Sequence, residues 1–180
     1  RQDAEKRKKW IDAMEEEGSA FENMSKTGNQ VLDTILAAKI FHCRKNYIQI
    51  TCVADGKLLD FIHVTDLCSI FGNALDNAIE CELKIPDKEK RLIHVSVSKQ
   101  KNFLLLRFEN YYDTELKYQG GAFITTKRDK EFHGYGLKSI RYTVNKYDGA
   151  VSIDTKENWF DLKILIPASE NAQKQIDKIV

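Results

Sequence analysis

The sequence has few residues that break or cross-link a chain. Two prolines and nine glycines occur among its 180 residues, so the four glycines that fall within residues 111–136 indicate special local backbone conformations. The four cysteines form no CxxC pair. We therefore expect reduced thiols in a cytoplasmic domain, and neither a disulfide framework nor a zinc site.

The sequence also lacks an excess of either charge and any long apolar run. Its 28 Lys and Arg residues nearly balance 27 Asp and Glu residues, which gives a net charge of +1. Proteins that hold nucleic acid by its phosphates need a basic surface, so we do not expect a nucleic-acid partner. No stretch of 18 apolar residues occurs, which predicts no direct membrane contact by these residues. Because the chain begins inside a charged helical pattern, we expect it to be a fragment of a longer protein.

Hydrophobic periodicity predicts an α+β protein. The helices predicted from spacing near 3.6 residues are residues 1–17, 25–43, 64–83 and 137–147. The strands predicted from twofold alternation are residues 48–52, 92–97, 103–108, 150–154 and 160–166. The last four strands should form two antiparallel hairpins. The sequence therefore predicts a two-layer α/β sandwich, in which a mixed, mostly antiparallel sheet carries helices on one face.

One long polar segment, residues 111–136, lacks a clear period. Loops of this length in compact domains usually cover a binding site or are disordered. We expect this segment to be a lid.

The predicted helix at residues 64–83 has two different faces. Its apolar face consists of Leu67, Ile70, Phe71, Ala74, Leu75 and Ala78. On the other side, Asn73, Asn77 and Glu80 follow one another at helical spacing, with Asp66 before them. Asn is a poor helix former, so two of them on one stripe indicate local hydrogen bonding or ligation. Oxygen ligands of this kind suit Mg²⁺, and an ordinary solvated face is the alternative.

Two glycines precede the predicted helix at residues 137–147. Gly134 and Gly136 permit a close backbone approach, and a helix that begins near Leu137 offers unpaired N–H groups to an anion. Lys138 adds a positive charge in the first turn. The pattern predicts a phosphate-binding turn, with a plain turn as the alternative.

Two motifs together resemble those of a known superfamily. Residues 66–80, DLCSIFGNALDNAIE, resemble the N box of the GHKL ATPases, and residues 134–137, GYGL, resemble their G2 box. The phrases TGNQVLD at 27–33 and HGYGL at 133–137 are most similar to sensor histidine kinases of the accessory-gene-regulator type, which act in peptide quorum sensing. The resemblance covers residues 25–167 and implies the Bergerat ATP-binding fold.

The resemblance implies roles for the two Asn residues of the helix. Asn77 matches the Asn that ligates the Mg²⁺ on the ATP phosphates. Asn73 stands where gyrase-like members have a Glu that activates water. An amide is no base near neutral pH, so Asn73 as a catalytic residue implies positioning for phosphotransfer and not hydrolysis.

The other implied contacts lie at the lid and its ends. Residues 111–136 would form the ATP lid. The residues that would bind the nucleotide phosphates are Lys127, Gly134, Gly136, Leu137 and Lys138. The usual G1 box, Asp-x-Gly-x-Gly, is absent. Asn110 stands at the matching strand end and would accept a hydrogen bond from the adenine amino group.

The implied function is that of the ATP-binding catalytic domain of a two-component sensor histidine kinase. Residues 1–45 would be a partial dimerisation hairpin, residues 46–168 the catalytic domain and residues 169–180 a tail. The alternative is that the two helices of residues 1–45 pack on the domain that follows them. The phosphoacceptor His would lie upstream of Arg1, because no His of this chain falls in the expected position. The implied partners are ATP with Mg²⁺, a second copy through the hairpin, and a response regulator. The parent would be a membrane-anchored sensor.

Two other functions stay open at this point. The missing G1 glycines fit a catalytically degenerate GHKL-like module that serves dimerisation or partner binding. An anti-sigma-type serine kinase has the same fold, although the phrase at residues 27–33 is not expected in such a protein.

Overall fold

The computed structural model describes residues 26–113, 117–119, 122–124 and 133–168. Its helices are α1 (Gln30–Lys45), α2 (Val64–Leu83) and α3 (His133–Asn145). Its strands are β1 (Gln49–Ala54), β2 (Leu92–Gln100), β3 (Phe103–Tyr111), β4 (Lys117–Gln119), β5 (Ala122–Ile124), β6 (Ala150–Lys156) and β7 (Trp159–Pro167). Each predicted helix and strand that falls within these residues is present, although some of them begin or end at other residues than predicted. The predicted helix at residues 1–17 and the tail at residues 169–180 lie outside them.

Five strands form one mixed sheet in the order β1-β2-β3-β7-β6. Strand β1 runs parallel to β2, and the other neighbours are antiparallel. This is the mostly antiparallel sheet that the sequence predicts, with its two hairpins. Strands β4 and β5 form a separate antiparallel pair inside the predicted lid, where the sequence shows no period that would indicate strands.

The helices and the sheet share one apolar core. The side of α2 that the sequence predicts to be apolar is buried in this core. Phe71 of α2 meets Phe108 of β3 with ring centroids 5.2 Å apart in an edge-to-face arrangement, which the charge distribution of aromatic rings favours. The two-layer α+β fold class predicted from the sequence is confirmed.

Helix α1 packs into the same core. Its residues Leu32, Leu36 and Ile40 are fully buried and belong to one apolar cluster with α2 and the sheet. Helix α1, which lies in the segment expected to be a hairpin, therefore shares its core with the segment expected to be the catalytic domain. Helical spacing shows that a helix is amphipathic, but the spacing does not show which surface covers its apolar side.

Close contacts with the segment that follows β1 fix the start of α1. Asn29 caps the helix, because its side-chain oxygen accepts a hydrogen bond from the Leu32 N–H at 3.0 Å. The Asn29 amide nitrogen donates to Asp60 at 3.1 Å. The Gly56 N–H donates to the Thr27 carbonyl at 2.8 Å, and a Cβ at Gly56 would lie 2.3 Å from the Thr27 hydroxyl oxygen. A glycine is therefore required where the start of α1 meets the turn after β1.

Candidate functional site

A polar stripe of α2 faces α3. The members of this stripe are Asp66, Ser69, Asn73 and Asn77. Each member lies against a residue of α3 or of the turn that follows it. The sequence predicts the polar face of α2, but it does not indicate that α3 covers it. Glu80, the last residue of the predicted stripe, is exposed.

At one end of the stripe, which we call the clamped end, Asp66 joins the start of α2 to the end of α3. The Tyr147 hydroxyl donates to Asp66 Oδ2 at 2.5 Å, and Lys146 Nζ lies 3.0 Å from Oδ1. The His63 backbone N–H donates to the Tyr147 oxygen at 3.0 Å. The hydrogen bonds from Tyr147 and Lys146 lower the pKa of the Asp66 carboxyl. The carboxylate of Asp66 is therefore occupied in holding the two helices together.

In the middle of the stripe, hydroxyl groups connect the helices. Ser69 Oγ lies 3.1 Å from Ser139 Oγ and 3.2 Å from Thr143 Oγ1. Asn73 is half-buried, and its amide nitrogen donates to the Ser69 carbonyl at 2.7 Å. The same nitrogen lies 3.4 Å from Ser139 Oγ. The Asn73 nitrogen is thus directed into the helix interface.

At the other end, which we call the glycine end, Asn77 meets the first turn of α3. A Cβ at Gly136 would lie 3.1 Å from Asn77 Oδ1 and 3.2 Å from Nδ2. The absence of a side chain at Gly136 therefore allows the backbone of α3 to approach the Asn77 amide. At Gly134 a Cβ would meet nothing within 4 Å, so packing does not require glycine there.

Helix α3 begins at His133, four residues before the predicted start at Leu137. The predicted start of the helix is wrong. Glycine is a poor helix former, and for this reason Gly134 and Gly136 indicate a turn before the helix when only the sequence is considered. Both glycines lie in the first turn, whose backbone N–H groups have no partner within the helix. These N–H groups and the positive end of the helix dipole lie at the glycine end, where they can bind an anion.

The two residues that follow Gly136 face different surroundings. Leu137 is partly buried and packs against the core. Lys138 is exposed, and its ammonium lies 5.9 Å from the centre of the Tyr135 ring. Lys138 therefore brings a positive charge to the first turns of α3, while the side chain of Leu137 anchors them.

Asn110 lies near the end of β3, against the last turn of α2. It is 3% exposed, and its amide nitrogen donates to the Tyr111 carbonyl at 3.3 Å. Burial raises the pKa of the Cys81 thiol and of the Glu82 carboxyl, and the nearby Asn110 side chain offsets part of both shifts. The helix that carries Asn77 thus also contacts Asn110, through residues near its C-terminus.

Glu82 is a buried carboxyl that the sequence does not predict. This residue is fully buried on the side of α2 that also carries Ala78, one turn earlier. Its Oε2 accepts a hydrogen bond from the Leu92 N–H at 2.9 Å, and its Oε1 has no partner among the described residues. Burial raises the pKa of the Glu82 carboxyl to about 8. The sequence does contain an indication of this burial, since Glu82 stands at a position where the helical spacing of α2 places apolar residues.

If Mg²⁺ binds at the glycine end, the protein supplies only a few of its ligands. Among the residues that the structure describes, no three His, Cys, Asp or Glu side chains come together as a metal site. Mg²⁺ usually keeps several waters and binds one or two protein oxygens together with phosphate oxygens. The Asn77 amide oxygen beside an anion-binding helix start fits this pattern. Lys127, the predicted phosphate contact on the lid, lies outside the described residues.

The fold is that of histidine kinase catalytic domains. The nucleotide-free catalytic domain of histidine kinase ThkA superposes with a TM-score of 0.59 at 17% identity, over 79% of this chain and 93% of that one. The Acinetobacter baumannii histidine kinase AdeS gives a TM-score of 0.54 at 13% identity, over 77% and 64%. The blue-light activated histidine kinase of Erythrobacter litoralis gives 0.53 at 12% identity, over 77% and 61%. Likenesses at these identities show a shared fold.

The chain belongs to the GHKL domain family. The model of this family matches residues 62–167, which is more than half of the 180 residues. The matched range contains Asn73, Asn77, Asn110 and the glycine end. No curated protein matches the sequence. Within the described residues, no helix is both long and apolar enough to cross a membrane.

Proposed function

We propose that this chain is the ATP-binding catalytic domain of a sensor histidine kinase, which transfers the ATP γ-phosphate to a His upstream of residue 1. The observation that carries the proposal is the glycine end, where the Asn77 amide and the start of α3 lie together. A metal-binding amide beside unpaired backbone N–H groups suits a polyphosphate with its Mg²⁺.

Each residue of the site has a part in this proposal. Asn77 would hold Mg²⁺, which neutralises charge on the phosphates when bound. The first turn of α3 would bind phosphate oxygens through its N–H groups, with Lys138 and Lys127 adding positive charge. Asn110 would contact the adenine base. Positioning of this kind accounts for most of the catalysis of phosphoryl transfer.

Asn73 supports a kinase rather than an ATPase. Its amide cannot take a proton from water near neutral pH, and its nitrogen is occupied by the Ser69 carbonyl. Bound ATP would therefore last until an acceptor His reaches it. Asn73 would act by position, next to the metal-binding amide on the same stripe.

The finer parts of the proposal follow the sequence motifs. We assign the parent to the accessory-gene-regulator type of sensor, with a cytoplasmic catalytic domain, a membrane anchor and a response regulator as phosphate acceptor. A homodimer would form through the segment that precedes α1. The packing of α1 into the catalytic core supports a dimerisation segment that ends before residue 30.

Calorimetry with Mg²⁺ and ADP tests the proposal. We expect Asn77→Ala to weaken binding at least tenfold, because the metal loses its protein ligand. The matched control is Asn102→Ala, the same substitution at an exposed position in the turn between β2 and β3, and it should leave the affinity unchanged. Absence of nucleotide binding by the folded chain would contradict the proposal and leave a degenerate partner-binding module.

The acceptor is tested with a separate helical peptide that carries a His. We expect radiolabelled phosphate to be transferred to the peptide in an acid-labile form, as is typical of a phosphorylated imidazole. An acid-stable product on a Ser-containing protein would instead support the serine kinase alternative.

A further inference from the structure

Three hydroxyl groups lie in the interface between α2 and α3. Ser69 of α2 and Ser139 of α3 are partly buried, and Thr143 of α3 is 3% exposed. Ser and Thr are poorer helix formers than Ala, and a buried hydroxyl lowers the free energy of unfolding unless it is hydrogen-bonded. Small apolar residues would pack two helices without either cost. The three hydroxyls therefore call for a role other than packing.

These hydroxyls form a connected group beside Asn73. Ser69 Oγ lies 3.1 Å from Ser139 Oγ and 3.2 Å from Thr143 Oγ1. The Asn73 side-chain nitrogen lies 3.5 Å from Ser69 Oγ and 3.4 Å from Ser139 Oγ. Ser139 thus connects α3 both to the Ser69 hydroxyl and to the Asn73 amide.

The orientation of the Asn73 amide follows from its shortest contact. The Ser69 backbone carbonyl oxygen lies 2.7 Å from the amide. A carbonyl can only accept, so the amide atom at this distance is the nitrogen. This nitrogen carries two N–H groups, one for the Ser69 carbonyl and one directed at the hydroxyls of Ser69 and Ser139. The oxygen lies on the other branch of the side chain, so it is the atom with which Asn73 would meet a ligand.

We propose that Ser139 is a positioning residue for phosphoryl transfer: together with Ser69, its hydroxyl keeps the Asn73 nitrogen in the helix interface and so presents the amide oxygen to the reacting groups. The inference rests on the proposed function, because it takes Asn73 as a residue that acts by position. An amide oxygen can only accept a hydrogen bond or bind a cation. It therefore suits a cation or the N–H of an imidazole, and not a bare phosphate oxygen.

Ser139 also sets the place of Asn73 relative to the glycine end. Gly136, which allows the approach of α3 to Asn77, lies about one turn before Ser139 in the same helix. Because a helix has a fixed rise per residue, the contact of Ser139 with Asn73 fixes Asn73 relative to the first turn of α3. This contact is longer than a typical hydrogen bond, as is common for groups of an active site before the ligand binds. We expect it to shorten in the nucleotide complex.

Phosphate transfer from MgATP to the His-containing helical peptide tests this role on the full 180-residue chain. We expect Ser139→Ala to lower the transfer rate at saturating MgATP about fivefold, the worth of one hydrogen bond between neutral groups. The affinity for MgADP should stay within about twofold, because Asn77 and the start of α3 keep their places. Ser139→Thr keeps the hydroxyl and should retain the wild-type rate. Ser98→Ala, at an exposed position of β2, is the matched control and should behave as the wild type.

The Asn73→Ala background separates positioning from a general effect on packing. If Ser139 acts through Asn73, adding Ser139→Ala to Asn73→Ala should cause no further loss of rate. A change in the packing of the two helices would instead lower the rate by the same factor in both backgrounds. The difference between these two results is measured with the same peptide assay.

Nuclear magnetic resonance gives a readout that needs no nucleotide. In the wild type we expect a coupling across the hydrogen bond between the Asn73 side-chain nitrogen and the Ser69 carbonyl carbon, since these groups are in contact. Ser139→Ala should shift the side-chain N–H signals of Asn73, because one of the N–H groups loses its partner on α3. Ser98→Ala should leave these signals unchanged.

A folded Ser139→Ala variant with the wild-type transfer rate would overturn the proposal. An equal loss of rate in the wild-type and Asn73→Ala backgrounds would also overturn it, because Ser139 would then act independently of Asn73. Unchanged Asn73 signals in Ser139→Ala would show that the hydroxyl does not hold the amide. If the wild type neither binds MgADP nor transfers phosphate, the proposed function fails and this inference fails with it. If the wild type is active, the other three results concern Ser139 alone.

Discussion

The two ends of the α2–α3 interface place opposite kinds of residue against the polar stripe of α2. At the clamped end, Asp66 is held by the Tyr147 hydroxyl and the Lys146 ammonium. At the glycine end, the Asn77 amide meets Gly136, which has no side chain. One stripe of one helix therefore contributes stability where its partner residues are long and polar, and allows a close approach of the α3 backbone where its partner is glycine.

The clamped end should give the largest effect on stability. We expect Asp66→Ala to lower the free energy of unfolding by about 2 kcal/mol at pH 7, because the hydrogen bond from Tyr147 and the ion pair with Lys146 are both lost. Denaturation in urea measures this change. The folded state lowers the pKa of Asp66, so its contribution is present above the ordinary Asp range and is lost as pH falls through the lowered value.

The difference between wild type and Asp66→Ala should accordingly shrink below about pH 4. Glu89→Ala removes a carboxylate from an exposed position and serves as the control, with no change in stability expected. A difference that persists unchanged at pH 2 would show that Asp66 contributes through packing and not through its charge.

The glycine end should show a smaller change, and in binding instead of stability. We expect Gly136→Ala to weaken MgADP binding about tenfold, because the new Cβ would press on the Asn77 amide at 3.1 Å and displace it. Gly72→Ala is the matched control in α2, where a Cβ would meet nothing within 4 Å. It should stabilise the helix by about 1 kcal/mol without changing nucleotide affinity. Equal affinities of the two variants would contradict the role given to Gly136.

Tyr147→Phe should have the smallest effect. It removes the hydroxyl that bridges Asp66 and the His63 N–H, and we expect a loss of about 1 kcal/mol in the free energy of unfolding. Thermal denaturation measures it, with Tyr142→Phe as the control because Tyr142 is 72% exposed. Nucleotide affinity should stay within about twofold, since one hydrogen bond at the far end leaves Asn77 in place. A larger loss of affinity would mean that the two ends are coupled.

Periodicity predicted most of the fold because the buried faces are regular. The apolar residues of α2 recur at helical spacing, and each one lies in the core. The burial of β2 alternates as predicted, and β2 and β3 form the expected antiparallel hairpin. By contrast, β4 and β5 are three residues each, which is too short to establish a period.

The site was predictable where its chemistry requires unusual residue types in a helix. Asn73 and Asn77 stand out because Asn is uncommon inside helices, and Gly136 because the sequence has few glycines. The partners of these residues were not predictable, since periodicity does not pair one helix with another. The packing of α1 into the core and the burial of Glu82 were also not predictable, because both depend on contacts between residues far apart in sequence.

The clamp between Asp66 and Tyr147 spans 81 positions of the chain, which has a consequence for folding. During synthesis, α2 leaves the ribosome long before α3, so its polar stripe meets only water at that stage. Contacts between distant positions form late, because closing a long loop costs conformational entropy. A nascent chain that stops before residue 147 therefore lacks the hydroxyl that holds Asp66, and the clamped end can form only after that residue has been made.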